Sequence, residues 1–134
     1  MAGRFGEAIP HLTAAFNRRY RPDVAATWLV RAMAGDGQRE KAIEFLDALS
    51  EEVVARGQDA AADLGTLALQ LEAPEHAVRW WRLATSLTPN RAEAHETLGA
   101  TLLLLNRDGE AFAPLEMACR LDPSSATIRL NLAL

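Results

Sequence analysis

The sequence predicts an all-α fold, a solenoid of antiparallel helix pairs, and three observations predict it. Apolar residues recur at helical spacing along nearly the whole chain, in segments separated by Gly, Pro or Asn. The segments repeat. Ala61, Leu64, Gly65, Ala68, Ala77, Trp81, Ala84 and Pro89 return 34 residues later as His95, Leu98, Gly99, Leu102, Ala111, Leu115, Ala118 and Pro123. Within each pair, one small residue per helix faces the other helix, so the two backbones can approach closely. A period of this size in helical units marks a stacked-repeat architecture. The 134 residues suffice for a few such units sharing one core, and 49% hydrophobic with 24% charged residues is ordinary globular composition.

The first helical pattern opens at Gly6, with Ile9, Leu12, Ala15 and Phe16 on one face, and ends near Arg18 and Arg19. Pro10 reads as lying near its start, where a missing N–H costs least. The run Gly6-Glu7-Ala8 matches Gly109-Glu110-Ala111, so this segment corresponds to a second helix, and the chain opens half-way through a unit. Pro22-Asp23 starts the next helix, about Val24 to Ala34, with Ala26, Leu29, Val30 and Met33 at helical spacing; Gly35-Asp36-Gly37 ends it. Its partner, from about Arg39, carries Ala42, Phe45, Leu46, Leu49 and Val53 and stops at Gly57 as a C-cap. Because this unit is one residue longer and lacks the terminal proline, its second helix is expected to be the longest.

Asp59 to Leu71 is the next first helix, and Pro74 fits the first turn of its partner, which holds Ala77, Trp80, Trp81, Ala84 and Leu87. Trp81 reads as core and Trp80 as partly exposed. Asn90 with Glu93 three residues later has the form of a capping box for a helix from about Arg91 to Leu105. The partner runs from about Gly109 to Arg120, and Pro114 within it predicts a local bend or a late start. Ser124 precedes a last helical segment, Ala126 to Leu134, whose Ile128, Leu130, Leu132 and Leu134 require a surface to bury against.

This 34-residue pattern resembles the tetratricopeptide repeat, and the resemblance covers nearly the whole chain as one solenoid: a half repeat (6–22), full repeats (23–57, 58–91, 92–125) and a half repeat (126–134). It implies a right-handed superhelix. The structural packing residues it implies are Ala8, Ala42, Gly65, Ala77, Ala84, Pro89, Gly99, Ala111, Ala118 and Pro123. The usual first-helix aromatic is replaced by Ala26, Ala61 and His95, and Val30 stands for the usual glycine in the divergent unit.

Charge and motifs exclude several functions. The net charge of −4 argues against a phosphate-backbone binder, and no apolar run approaches the roughly 20 residues of a membrane span. A single cysteine, Cys119, permits no internal disulfide. His11, His76 and His95 form no metal-ligand spacing, and no phosphate loop or nucleophile motif is present, so neither catalytic residues nor a cofactor or metal is expected.

Binding is the expected activity. By the resemblance, the first helices line a groove for a partner's peptide or helix, at Val24, Thr27, Arg31 and Ala34, at Asp59, Ala62, Thr66, Leu69 and Gln70, and at Glu93, Glu96, Ala100, Leu103 and Leu104. That surface is acidic near the helix starts and apolar further along, which suits a partner with apolar anchors and basic flanks. A clamp for acidic chaperone tails is not expected, since its places hold Thr27, Arg31, Asp63, Glu93 and Thr97. The expectation is thus a non-enzymatic protein-interaction scaffold, cytoplasmic and bacterial, forming one segment of a longer repeat protein. Two alternatives are a self-assembly module joined through its half repeats as a homo-oligomer, and a recruiting arm of an enzyme whose catalytic domain lies elsewhere.

Overall fold

A computed structural model describes residues 2–18, 21–57 and 59–124, and shows eight helices and no strand among them. They are α1 (Ala2–Asn17), α2 (Pro22–Gly35), α3 (Arg39–Ala48), α4 (Glu51–Val54), α5 (Ala60–Gln70), α6 (Pro74–Leu87), α7 (Ala92–Leu104) and α8 (Asp108–Leu121). α7 packs on α8, α5 on α6 and α2 on both α1 and α3; α6–α7 and α2–α5 contacts join successive pairs. The expected helix over 126–134 lies outside the described residues.

The closest approaches are made at glycine. A Cβ added at Gly65 would lie 2.5 Å from Trp81 Nε1, and one at Gly99 would lie 2.5 Å from Leu115 Cγ and 3.3 Å from the Ala111 carbonyl oxygen. Each glycine thus lets a large side chain of the partner helix lie directly on its backbone. Around these crossings runs one continuous core, including Val30, Leu46, Val54, Leu64, Ala77, Trp80, Trp81, Leu98, Leu102 and Leu115. Trp80 is fully buried, which corrects the expectation that it is partly exposed. Its ring carries the Arg79 guanidinium, 4.4 Å from the centroid.

All three first helices end in the same way. Gln38 N donates to Met33 O and Gly37 N to Ala34 O; Ala73 N donates to Ala68 O and Glu72 N to Leu69 O; Arg107 N donates to Leu102 O and Asn106 N to Leu103 O. The residue that turns the chain is left-handed each time: Gly37 (φ 75°), Glu72 (φ 57°) and Asn106 (φ 60°). This is the Schellman arrangement, which satisfies the last carbonyls and sends the chain back at once. Gly37 and Asn106 are residue types that tolerate this conformation, whereas Glu72 adopts it at a cost of about 1–2 kcal/mol.

Five expectations are corrected. The second helix of the divergent unit is not the longest but is broken: Leu49 and Ser50 are extended (ψ 133° and 132°) between α3 and α4. The break lets Leu49 and Val54 both reach the core, and Arg79 of α6 replaces lost helical hydrogen bonds by donating to Leu46 O (2.9 Å) and Leu49 O (2.7 Å). Gly57 is no helix cap; it lies against Asp23. The Asn90–Glu93 capping box is not made, because the N-cap of α7 is Arg91, which makes no side-chain cap. Its guanidinium instead lies 3.4 Å from Asp59 and 3.7 Å from Glu93. Pro10 falls inside α1, which begins at Ala2. Pro114 likewise lies inside α8 without delaying its start, at the loss of one bond to the Glu110 carbonyl.

Three measurements test this account. Glu72→Gly removes the left-handed strain at an exposed side chain and should stabilise the fold by about 1 kcal/mol, read as a higher midpoint in urea unfolding. Gly99→Leu should destabilise it by about 1–3 kcal/mol through overpacking against Leu115. Glu110 on α8 accepts from Arg107 (2.5 and 2.7 Å) and from Arg82 of α6 (2.9 Å), and these guanidiniums draw its carboxyl from 4.5 down to about 2. A folded-state pKa below the unfolded value gives stability that is present above about pH 5 and lost as the pH falls towards 2. The melting temperatures of the native protein and Glu110→Gln should therefore differ at neutral pH and converge in acid.

Candidate partner-binding groove

Each of the first helices α2, α5 and α7 leaves some side chains outside the core. On α2, Val24, Trp28 and Arg31 lie on one side of the helix by their i, i+4 and i+7 spacing. Trp28 is 50% exposed, although an indole of that size is normally driven inward, and the Arg31 guanidinium stacks 4.6 Å from its ring centroid. Sequence reading passed over Trp28. The available signal was its spacing from Val24 and Arg31, one residue beyond the Thr27 that was singled out. Thr27 itself is buried and donates its hydroxyl to the Asp23 carbonyl (3.1 Å).

Between α2 and α5 these residues form a cleft of about 440 Å³. Its walls include Thr27, Arg31 and Asp59, together with Trp28, Arg56 and Asp63. The cleft is mixed in charge, with aspartates from both helices facing arginines. Asp59 is already engaged, since Arg91 reaches both it and Glu93 and so neutralises much of the acidity at the starts of α5 and α7. Asp63 and Glu96 have no ion-pair partner among the described residues.

The remaining groove residues lie outside this cleft. Thr66 is exposed but donates its hydroxyl to Ala62 O (3.0 Å), and Gln70 is exposed at the end of α5. Leu69 and Leu103 pack against the edge of the core. Leu104 is 68% exposed at the end of α7. Of the packing positions, Ala42, Gly65, Ala77, Ala84, Gly99, Ala111 and Ala118 are buried, Ala8 is half-buried, and Pro89 and Pro123 are exposed in turns. His95 Nε2 lies 2.8 Å from the Pro89 carbonyl oxygen, tying α7 to the turn before it.

No group of three or more His, Cys, Asp or Glu among the described residues could hold a metal ion. His76 lies 3.8 Å from Asp47, and His11 is exposed. No described helix is long and apolar enough to cross a membrane.

No known family profile matches the sequence, and no curated protein matches it either. Solved structures do. MamA from Desulfovibrio magneticus RS-1 (residue 41 to the end) superposes with a TM-score of 0.64 at 18% identity, covering 97% of this chain and 73% of that one. Another crystal structure of MamA gives 0.66 at 18% identity, covering 97% of this chain and 75% of that one. The second TPR domain of human RPAP3, solved in complex with the HSP70 peptide SGPTIEEVD, gives 0.59 at 19% identity, covering 78% of this chain and 86% of that one. At such identities the likeness is one of fold, and with the helix pairs and glycine crossings above it establishes that this chain has a tetratricopeptide-type helical-repeat fold.

Proposed function

We propose that this chain is a non-enzymatic protein-interaction scaffold, and that the face formed by α2, α5 and α7 holds an extended segment of a partner protein. The observation that carries the reading is the cleft between α2 and α5. There a half-exposed tryptophan and the exposed Val24 stand among charged groups that packing does not use. Exposed aromatic and apolar side chains at the centre of a charged rim are the composition of a binding surface.

The partner's chemistry follows from the same residues. Trp28 and Val24 offer an apolar seat at one end of the face, and Leu104 offers apolar surface at the other. Asp63 on α5 and Glu96 on α7 have no ion-pair partner among the described residues, so a segment with apolar anchors and a basic residue between or beside them is complementary. The RPAP3 domain supports peptide recognition by this architecture. Its peptide ends in Glu-Glu-Val-Asp, however, and the clamp places here hold Thr27, Arg31, Asp63, Glu93 and Thr97. A ligand of opposite charge is therefore the proposal, and the chaperone-tail clamp is not.

The test is an array of immobilised peptides that pair apolar residues with Lys or Arg, probed with the labelled protein. Binders should be recovered, and their affinity should fall about tenfold for Trp28→Ala. In Asp63→Lys with Glu96→Lys the basic peptides should bind more weakly, and the remaining binding should be less sensitive to salt. Recovery of acidic peptides only, or affinities indifferent to these substitutions, would remove the groove assignment.

A further inference from the structure

Three aspartates line the α2–α5 cleft, and they differ in one respect: Asp59 and Asp63 are exposed, whereas Asp23 is only 8% exposed. Asp23 stands in the first turn of α2, directly after Pro22. Its side chain lies against Gly57, which also lines the cleft; a Cβ added there would collide with Asp23 Oδ2 and lie 3.1 Å from Cγ. The Thr27 hydroxyl bonds the backbone carbonyl of Asp23, not its side chain. Among the described residues the carboxylate has neither a hydrogen bond nor an ion pair. A carboxylate withdrawn from water without a partner is costly, and the positive end of α2 offsets only part of that cost.

The cations of the cleft do not answer it. Arg21 and Arg56 are exposed to water, and Arg31 is stacked on Trp28. Solvated arginines need no partner, so Asp23 is the group that gains most from a ligand. That ligand is not a metal ion, since no three carboxylates of the described residues converge to hold one.

The shape of the site selects among organic cations. A guanidinium pairs best as a planar fork on both carboxylate oxygens, and here Oδ2 rests against the Gly57 backbone. An ammonium is a compact point charge and needs only one open oxygen. Val24 and Trp28, on the same helix and both exposed, offer apolar surface to a four-carbon stem. We infer that the cleft is a lysine pocket: the partner segment inserts one lysine, whose ammonium pairs with Asp23 while its stem lies along Val24 and Trp28. The inference rests on the groove reading above and adds the residue that recognises the partner's basic group.

NMR titration tests it with the capped pentapeptide Leu-Ala-Lys-Ala-Leu and three relatives that carry arginine, Nε-acetyl-lysine or norleucine at the centre. The readout is the amide signals of α2 and α5 and the Trp28 indole N–H. The lysine peptide should bind about tenfold tighter than the acetyl-lysine and norleucine peptides, and several-fold tighter than the arginine one. This comparison uses the native chain, so it decides the matter even where a variant unfolds. Asp23→Asn keeps the shape and removes the charge; it should abolish the lysine preference and leave the norleucine peptide's affinity unchanged. Gly57→Ala, whose methyl displaces the carboxylate, should do the same. Equal binding of the four peptides, or a lysine preference that survives Asp23→Asn, would overturn the pocket and leave the groove standing. A lower melting temperature for Asp23→Asn with that preference intact would make Asp23 structural only, and overturns the pocket too. Tighter binding of the central-glutamate peptide would assign the cleft to its arginines instead. If no peptide shifts the α2 and α5 signals, the groove reading falls and the pocket with it.

Discussion

The structure depends on helices crossing at van der Waals contact with nothing between their backbones but one large side chain. At Gly65 that side chain is the indole of Trp81, and at Gly99 it is Leu115. The absence of a Cβ allows the approach, and the approach buries the apolar stripes on either side of it. Each pair buries only part of its apolar surface alone. Stacking turns the local contacts into the continuous core that runs from Ala26 to Leu115. Val30 shows that one unit tolerates a larger residue at this place, for it is fully buried there.

Arginine joins the units where packing alone leaves polar groups unsatisfied. Arg79 supplies hydrogen bonds to the carbonyls released at the Leu49–Ser50 break, and Arg39 of α3 donates to Leu71 O and Glu72 O at the end of α5. In both cases a planar donor group reaches backbone carbonyls of a neighbouring unit, about one repeat away in sequence. Arg82 does the corresponding work on a side chain, Glu110. Thirteen of the fourteen basic residues are arginine. Several of them act as struts, which is why the net charge says little about what the surface attracts.

The groove residues show how far spacing can carry a functional reading. Position along the repeat assigned Arg31, Glu93 and Glu96 to first helices, and they lie on α2 and α7, with Asp59 at the N-cap of α5. It did not reveal that Arg91 engages Asp59 and Glu93, nor that the Thr27 hydroxyl is bonded to its own helix. Nor did it single out Trp28, because a tryptophan in an amphipathic stretch is normally assigned to the core. These are matters of contact between residues far apart in the chain, and a period has no information about them.

The sequence by itself determined the helical class, the repeat period, the identity of the small residues at the crossings and the absence of any recognisable catalytic motif. These follow from local chemistry: apolar spacing, the conformational limits of Gly and Pro, and the donor sets that reactions need. Only the tertiary structure decided where the divergent second helix breaks, since Leu49 and Val54 can both be buried only if the chain turns between them. It also buried Trp80 completely beside Trp81 and left Glu72 in a conformation its own preference opposes. In each instance burial and hydrogen bonding summed over several helices outweigh a local preference of about 1 or 2 kcal/mol, so no local reading could have found them.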